Sequence, residues 1–497
     1  MSARVGTLTA RVAERCDELL AELGGQEAAD RLRIVRQGLD EPLRIAVAGR
    51  VSAGKSTLVN ALLGRRIAAT DVGECTRVVT IFRYGFPERI VIRPLKGVSQ
   101  AGALTVSGHI PEPLGVSPET TASVTIELSN AALSDLVLVD TPGLASPTET
   151  TSASTEQFLA IDNASRNAVS AVEALVYVLS RQPGDDDRRA LAAFRELSDQ
   201  TGNSAATCVA VLGRADEVAG SGAQRTSALN PLAPAAQMAE ERADALHGLV
   251  DGVVPVVGLW AETARAGALT EEDAAALASL ARDPARADLL AGPDEFVGAP
   301  AGIASDQRQR LLELLGLRGS EIALAFIDAG CNGAAALATE LARVSGIGAL
   351  EESMRSLRGR ADPLKAQWAL NQLDSAPLNL LGSLALRNAA EELRFEPKMQ
   401  QLNVLAALQL VAGGVRLPAA LAEDVLRMAT ATHPAGRLGL QPDTPKETMQ
   451  RVATEWAARW LAYAGDQPRT GPEQEQVARL MYRSYAHLRM QVSGAFL

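Results

Sequence analysis

Apolar residues recur at helical spacing over residues 4–40, at Leu8, Val12, Leu19, Leu20, Leu23, Leu32, Ile34, Val35 and Leu39. Gly24-Gly25 interrupts the run, so the pattern predicts a helical hairpin or a bent helix. The period then changes. Residues 43–49, LRIAVAG, form a short apolar run ending in glycine, which reads as a buried strand by length and flanks. Further strands are expected at 78–83, 90–95, 124–128, 136–140, 174–179, 207–212 and 253–258, with helical stretches such as 188–197 and 235–249 between the later ones. Strands alternating with helices predict a mostly parallel, doubly wound α/β sheet over residues 41–265.

Beyond that domain the texture shifts. Residues 266–305 combine a helical patch with the Gly/Pro-rich LLAGPDEFVGAPAG, the composition of a linker or hinge. From 306 to 497 nearly every stretch keeps helical periodicity, broken near 346–348, 374–377, 413–418, 433–442 and 465–472. Four to six long helices in an extended bundle are expected there. The opening arm, residues 1–40, can join that bundle, because a sheet domain inserted between helical segments brings both ends together. No repeat of fixed period is evident.

Composition narrows the function classes. Aromatics make up 3% of the chain, with Ala, Leu, Val and Arg filling the space, a balance that favours helices. The net charge of −11 argues against nucleic acid as a partner, since phosphate neutralisation needs a basic surface. Cys16, Cys75, Cys208 and Cys331 lie far apart, as in a reduced, cytoplasmic chain. His109, His247, His433 and His487 have no metal-ligand spacing, so no zinc site is assigned. MSARVGTLTARVAERCDELL lacks the basic-then-apolar order of a signal peptide. No uninterrupted run of about 18 apolar residues is present, so a spanning helix is not expected.

Candidate chemistry begins at Gly49-Arg50-Val51-Ser52-Ala53-Gly54-Lys55-Ser56, a match to GxxxxGK[ST] between a strand and the helix-like TLVNALLG. Its glycines let the backbone wrap so that N–H groups face phosphate oxygens at the positive end of the next helix. Gly49, Ser52, Ala53, Gly54, Lys55, Ser56 and Thr57 would line the phosphates. Lys55 would neutralise the β- and γ-phosphates and Ser56 would ligate Mg²⁺. The bland alternative is a glycine-rich turn, but with five Lys in the whole chain a chance match is improbable.

Three companions follow. Asp140-Thr141-Pro142-Gly143 ends the apolar strand LVLVD, where Asp140 can hold Mg²⁺ through water and the Gly143 amide can reach a γ-phosphate. Alone, DTPG is a plain turn. Thr76, in the polar break Glu74-Cys75-Thr76-Arg77, can complete the Mg²⁺ shell and place the attacking water, with Thr70 and Thr80 as alternatives. Gly213-Arg214-Ala215-Asp216 follows an apolar strand, and the Asp216 carboxylate can accept from guanine N1 and N2, where adenine offers no such pair. The usual pattern is [NT]-K-x-D. Arg214 stands at the Lys position, where its stem can pack along the base, and Gly213 at the Asn/Thr position. Asp216 as a helix N-cap is the alternative. Asp185-Asp186-Asp187 resembles a metal cluster but sits at a helix start, where acidic residues complement the dipole.

These motifs, in this order, resemble a translation-factor-type GTPase domain. The fuller phrases GRVSAGKSTLVNALLG, IAATDVGECTRVVT and LVLVDTPG, with helical segments on both sides, resemble the bacterial dynamin-like proteins. That resemblance implies a P-loop GTPase domain followed by a helical neck and trunk. It also implies GTPase faces that pair as a homodimer or assemble with a dynamin-like paralogue, and membrane remodelling as the activity. Carried over, Lys55 and Ser56 bind phosphate and Mg²⁺, Thr76 is the switch threonine, Asp140 and Gly143 form the second switch and Asp216 reads guanine. Ser52 matches a loop serine that helps place a charge-compensating cation, which makes Lys55, Thr76 and Ser52 the catalytic set. Eukaryotic dynamins carry Gln at the position of Val51, so turnover is expected to be slow or partner-dependent. Peripheral contact with the inner face of the cell membrane is implied; the apolar stretches 378–386 and 404–422 are the candidates for it, but both are interrupted by Gly, Pro or Arg and read first as bundle core. Two other readings are a slowly hydrolysing GTP-binding scaffold and an Era-like GTPase acting on ribosomal RNA; the acidic balance weighs against the second.

Overall fold

The computed structural model describes residues 7–49, 53–68, 78–105, 110, 116, 120–141, 172–179, 187–192, 208–218, 230–246, 249–377, 379–396, 399–412, 415–431, 433–465 and 471–493. Among the described residues nine strands form one sheet: β1 (Leu43–Gly49), β2 (Thr80–Tyr84), β3 (Arg89–Pro94), β4 (Gln100–Gly102), β5 (Thr121–Leu128), β6 (Leu136–Asp140), β7 (Ala174–Leu179), β8 (Cys208–Leu212) and β9 (Gly252–Pro255). They lie in the order β4-β3-β5-β2-β6-β1-β7-β8-β9. From β6 to β9 every pairing is parallel. On the other flank β2 runs antiparallel to β6 and parallel to β5, and β3 is antiparallel to both β5 and β4. The expected sheet is thus parallel-dominated but mixed. Strand β4 escaped sequence reading because its three residues are all exposed and carry no alternation.

Period-two alternation explains the two layers around the sheet. Leu43, Ile45 and Val47 of β1 share a core with Leu58, Val59 and Leu62 of α3 (Lys55–Leu63). Ala46 and Ala48 face the opposite layer, with Val139, Tyr177 and Leu191. The strand expected at 253–258 stops at Pro255. The chain turns there because the Val257 amide donates to Ser345 O and a helix starts at Gly258.

Helices surround this sheet and extend from it. The opening residues form α1 (Leu8–Leu23) and α2 (Glu27–Asp40), a hairpin turned at Gly24. α4 (Ala233–Ala245), α5 (Gly258–Arg265) and α6 (Glu271–Ala281) follow the last strands. Residues 266–305 hold α6 and two short turns, Arg286–Leu289 and Pro293–Gly298, with Leu277, Leu289 and Phe296 buried in one core with Leu311 and Leu315. Next come α7 (Ser305–Asp328), α8 (Ala334–Val344), α9 (Ile347–Gly359), α10 (Ala361–Asp374), α11 (Ser383–Phe395), α12 (Gln400–Ala412), α13 (Ala419–Thr430), α14 (Lys446–Gly465) and α15 (Pro472–Ser493). A short turn, Pro434–Arg437, lies between α13 and α14. Four to six long helices were expected; among the described residues the region holds these nine and the short turn.

Two helical cores lie beyond the sheet. The first joins α1 and α2 to α10 and α11 through Val12, Leu19, Leu32, Trp368 and Leu386. Asp362 on α10 accepts from the Leu8 and Thr9 amides, both at 3.0 Å, so the trunk caps the first helix. The second joins α12–α15 around Trp460 and Tyr485. Asp424 is buried in it and accepts from Trp460 Nε1 at 2.7 Å and Tyr485 OH at 2.5 Å. Of the two apolar stretches, Val404, Ala407, Val415 and Leu421 belong to this core, whereas Leu381 and Leu384 are exposed beside the turn before α11. Among the described residues, no helix is long and apolar enough to cross a membrane.

Candidate nucleotide-binding site

The site sits where β1 ends. Gly49 closes that strand with φ 145°, and a Cβ there would stand 2.4 Å from Val178 O of β7. Only glycine fits a left-handed φ with a neighbouring carbonyl that close. Beyond residues 50–52, Ala53 and Gly54 precede α3, which begins at Lys55, with the Leu58 amide donating to Gly54 O at 2.9 Å. Lys55 Nζ donates to Gly49 O at 3.0 Å, which holds the ammonium across the loop. Burial draws the Lys55 pKa below its ordinary value, while the charge of Asp140 pulls it back up. Ser56 and Thr57 follow in the first turn of α3, where unsatisfied amides and the helix dipole favour an anion.

Asp140 ends β6, directly beside β1, in register with Val47. Thr141 fastens that exit: its amide and its Oγ1 both donate to Val47 O, at 3.3 and 3.1 Å. Sequence reading passed over Thr141, although its place between Asp140 and Pro142 was the signal. Desolvation pushes the Asp140 carboxyl up to about 7, opposed by Lys55.

A third element borders the phosphate loop. After β8, Gly213 packs so closely that a Cβ would stand 2.9 Å from Ala53 O and 3.1 Å from Val178 Cγ1. The departure from Asn/Thr at this position therefore has a steric reason. Arg214 takes a left-handed φ of 50° and its guanidinium lies 3.7 Å from Glu217. Asp216 lies inside the short 3₁₀ turn Ala215–Glu217, whose N-cap is Arg214. Its place is therefore not the helix N-cap considered above. Burial pushes its carboxyl up and its own amide draws it down.

Lys55 and Ser56 at the start of α3 thus stand beside Asp140 at the end of β6, and the turn after β8, which holds Asp216 at its third residue beyond Gly213, packs on Ala53 through Gly213. Ser52, Val51, Thr76 and Gly143 lie outside the described residues. So do Asp185 and Asp186, whereas Asp187 is buried and accepts from Tyr177 OH at 3.0 Å, a structural bond. No group of three or more His, Cys, Asp or Glu that could hold a metal occurs among the described residues. The hard-oxygen set of Ser56 and Asp140 fits Mg²⁺, which is usually bound by one or two carboxylates together with substrate phosphates.

A glycine-closed loop on the parallel half of a mixed sheet, with a lysine at the helix start and an aspartate on the adjacent strand, fits a P-loop GTPase domain, here attached to a helical trunk. The chain belongs to the bacterial dynamin-like family. Residues 45–184 match the dynamin family. Over 478 residues the chain is 32% identical to the isoniazid-induced protein IniC of Mycobacterium tuberculosis (strains CDC 1551 / Oshkosh and ATCC 25618 / H37Rv), covering 90% of each protein. A stretch of 82 residues is 34% identical to a bacterial dynamin-like protein of Nostoc punctiforme, covering 14% of this chain and 12% of that one. Among solved structures, a chain of an oligomerised bacterial dynamin pair is similar at 13% identity and a TM-score of 0.35, over 100% of this chain and 92% of that one. The protein is accordingly a GTP-binding, dynamin-like GTPase.

Proposed function

We propose that this chain binds GTP with Mg²⁺ at residues 49–57, hydrolyses it, and passes nucleotide state through its helical trunk to the remodelling or maintenance of a membrane. The observation that carries this reading is Lys55 bonded across the loop to Gly49 O, with Asp140 on the strand beside β1 and the turn at Gly213 packed on Ala53. Lys55 would hold the β- and γ-phosphates, and amides at the start of α3 would share their charge. Ser56, Asp140 and Thr76 would hold Mg²⁺, which when bound neutralises charge on the β- and γ-oxygens. Thr76 would orient the attacking water, Ser52 would place a charge-compensating cation and Gly143 would sense the γ-phosphate. Asp216 would select guanine by accepting two N–H bonds, with the Arg214 stem along the base.

In this reading residues 41–265 form the GTPase unit, 266–305 its connection, and 306–497 with 1–40 the neck and trunk. Family membership supports GTPase faces that pair, in a homodimer or with a dynamin-like paralogue, and a cytoplasmic location peripheral to the inner face of the membrane. Co-sedimentation with liposomes, together with GTP turnover measured with and without lipid, tests it. Lipid-stimulated turnover is the expected result. GTP binding with negligible turnover under every lipid condition would replace remodelling by a scaffolding role, the reading that Val51 favours.

A further inference from the structure

Asn60 lies on the buried side of α3, one and a half turns beyond Lys55, and is 1% exposed. A carboxamide carries two N–H donors and two acceptor sites. All four are used here. Nδ2 donates to Ala68 O at 3.1 Å and to Glu262 Oε1 at 2.9 Å. Oδ1 accepts from the amides of Ile67 and Ala68, at 2.9 and 2.7 Å. Three of the four bonds therefore fasten two consecutive backbone units to the phosphate-loop helix.

Glu262, on α5, is itself buried and lies 3.6 Å from Arg66. Its helix is anchored in turn, because Trp260 Nε1 donates to Leu315 O at 2.9 Å and Thr263 Oγ1 to Leu314 O at 2.6 Å on α7. Asn60 is thus held between the helix that starts at Lys55 and a helix fixed to the rest of the molecule. Ile67 and Ala68 lead directly into the stretch that contains Thr76. At the far end of that stretch Thr80 opens β2 and pairs with Asp140. One end of the Thr76 stretch is therefore set by Asn60 and the other by the strand beside the carboxylate of the site.

We propose that Asn60 is a positioning residue for GTP hydrolysis, setting where the Thr76 stretch leaves the phosphate-loop helix, and that Glu262 orients its amide. The inference rests on the role given to Thr76 above. Asn60→Asp removes both donors and sets a carboxylate against Glu262. Adding Glu262→Gln supplies an N–H donor to Asp at 60 and removes the like charge, which restores the contact with residue 262 in reversed polarity but not the bond to Ala68 O. In single-turnover GTP hydrolysis at saturating GTP, Asn60→Asp is expected to lose about ten-fold in rate or more, while GTP affinity stays within about two-fold. The Mg²⁺ concentration for half-maximal rate should rise, and the double variant should run about three-fold faster than Asn60→Asp, with its Mg²⁺ dependence shifted back toward wild type. A folded Asn60→Asp with unchanged rate would overturn the inference. So would a loss that tracks GTP affinity and folded fraction and does not recover in the double variant. Should Asn60→Asp fail to fold, Glu262→Ala removes only the brace, and about a three-fold slower rate at unchanged GTP affinity is expected; an unchanged rate there rejects the inference. Thr76→Ala, measured alongside, separates the two levels. Wild-type turnover in that variant rejects the role of Thr76 itself, whereas its loss with Asn60→Asp unaffected rejects only the role of Asn60.

Discussion

At Gly213 the turn after β8 packs closely on the phosphate loop, and a methyl group there would meet Ala53 O at 2.9 Å. The side chain usually found at this position is replaced by direct contact, which in the proposed function leaves guanine selection to Asp216. Asp216→Asn turns an acceptor into a group that can donate to the extra carbonyl of xanthine. Preference should then move from GTP to xanthosine triphosphate by about 10-fold or more, as competition binding would measure. A second residue-scale prediction concerns acid. Asp273 opens α6 with a capping box to Thr270 and a two-bond contact from Arg310, at 2.8 and 3.0 Å. Burial pushes its carboxyl up, but Arg310 and the Thr270 donors more than offset this and hold it below the usual aspartate value. A depressed folded pKa adds stability above the unfolded value and loses it as pH falls through the folded one. Asp273→Asn should therefore melt lower than wild type at pH near 7, with the difference narrowing as pH falls below about 4.

At the scale of elements, α7 carries a break at Gly316, with φ 68° and ψ 172° inside a helix of 24 residues. The carbonyls of Leu314 and Leu315, beside that break, are taken by Thr263 Oγ1 and Trp260 Nε1 of α5, and Gly316 O by Ser320 Oγ. Those dihedrals belong almost to glycine alone, so Gly316→Ala should cost about 1–3 kcal/mol, read from urea unfolding. Trp260→Phe leaves Leu315 O without its indole donor and should cost about 1–3 kcal/mol. Sequence reading missed this break for a physical reason. LLELLGLRGSEIALAF keeps its apolar spacing through Gly316, and a lone glycine is tolerated in helices, so nothing local marks a stop. The helix count has another cause, since α9 gives way to α10 at Arg360 between Gly359 and Pro363, a local break signal that went unused. Strong periodicity was legible: β1, β6 and β7 fall on the expected residues because each is a short apolar run. Of the site, the phosphate loop and Asp140 were legible as motifs. The steric reason for Gly213 and the anchoring of Asn60 depend on contacts between distant segments, which spacing along the chain does not encode.

Across the molecule, one buried ion pair ties the sheet to the trunk. Lys365 of α10 and Glu173, just before β7, are 5% and 1% exposed and stand 3.2 Å apart. Lys365 Nζ also donates to Gly38 O of α2 at 2.7 Å, and Glu173 Oε2 accepts from the Arg44 amide of β1 at 2.6 Å. Four chain segments thus meet at the end of β1 opposite the phosphate loop. Lys365→Met would leave a buried carboxylate uncompensated and should destabilise the fold by about 3–5 kcal/mol. GTP affinity of the folded fraction should be unchanged, because the pair lies away from the phosphates; thermal melting beside nucleotide titration checks both. The central claim, that residues 49–57 bind GTP·Mg²⁺ for hydrolysis, has its most direct test in Lys55→Ala. With GTP binding and phosphate release measured beside wild type, the variant is expected to lose both; GTP affinity and phosphate release equal to wild type would contradict the account.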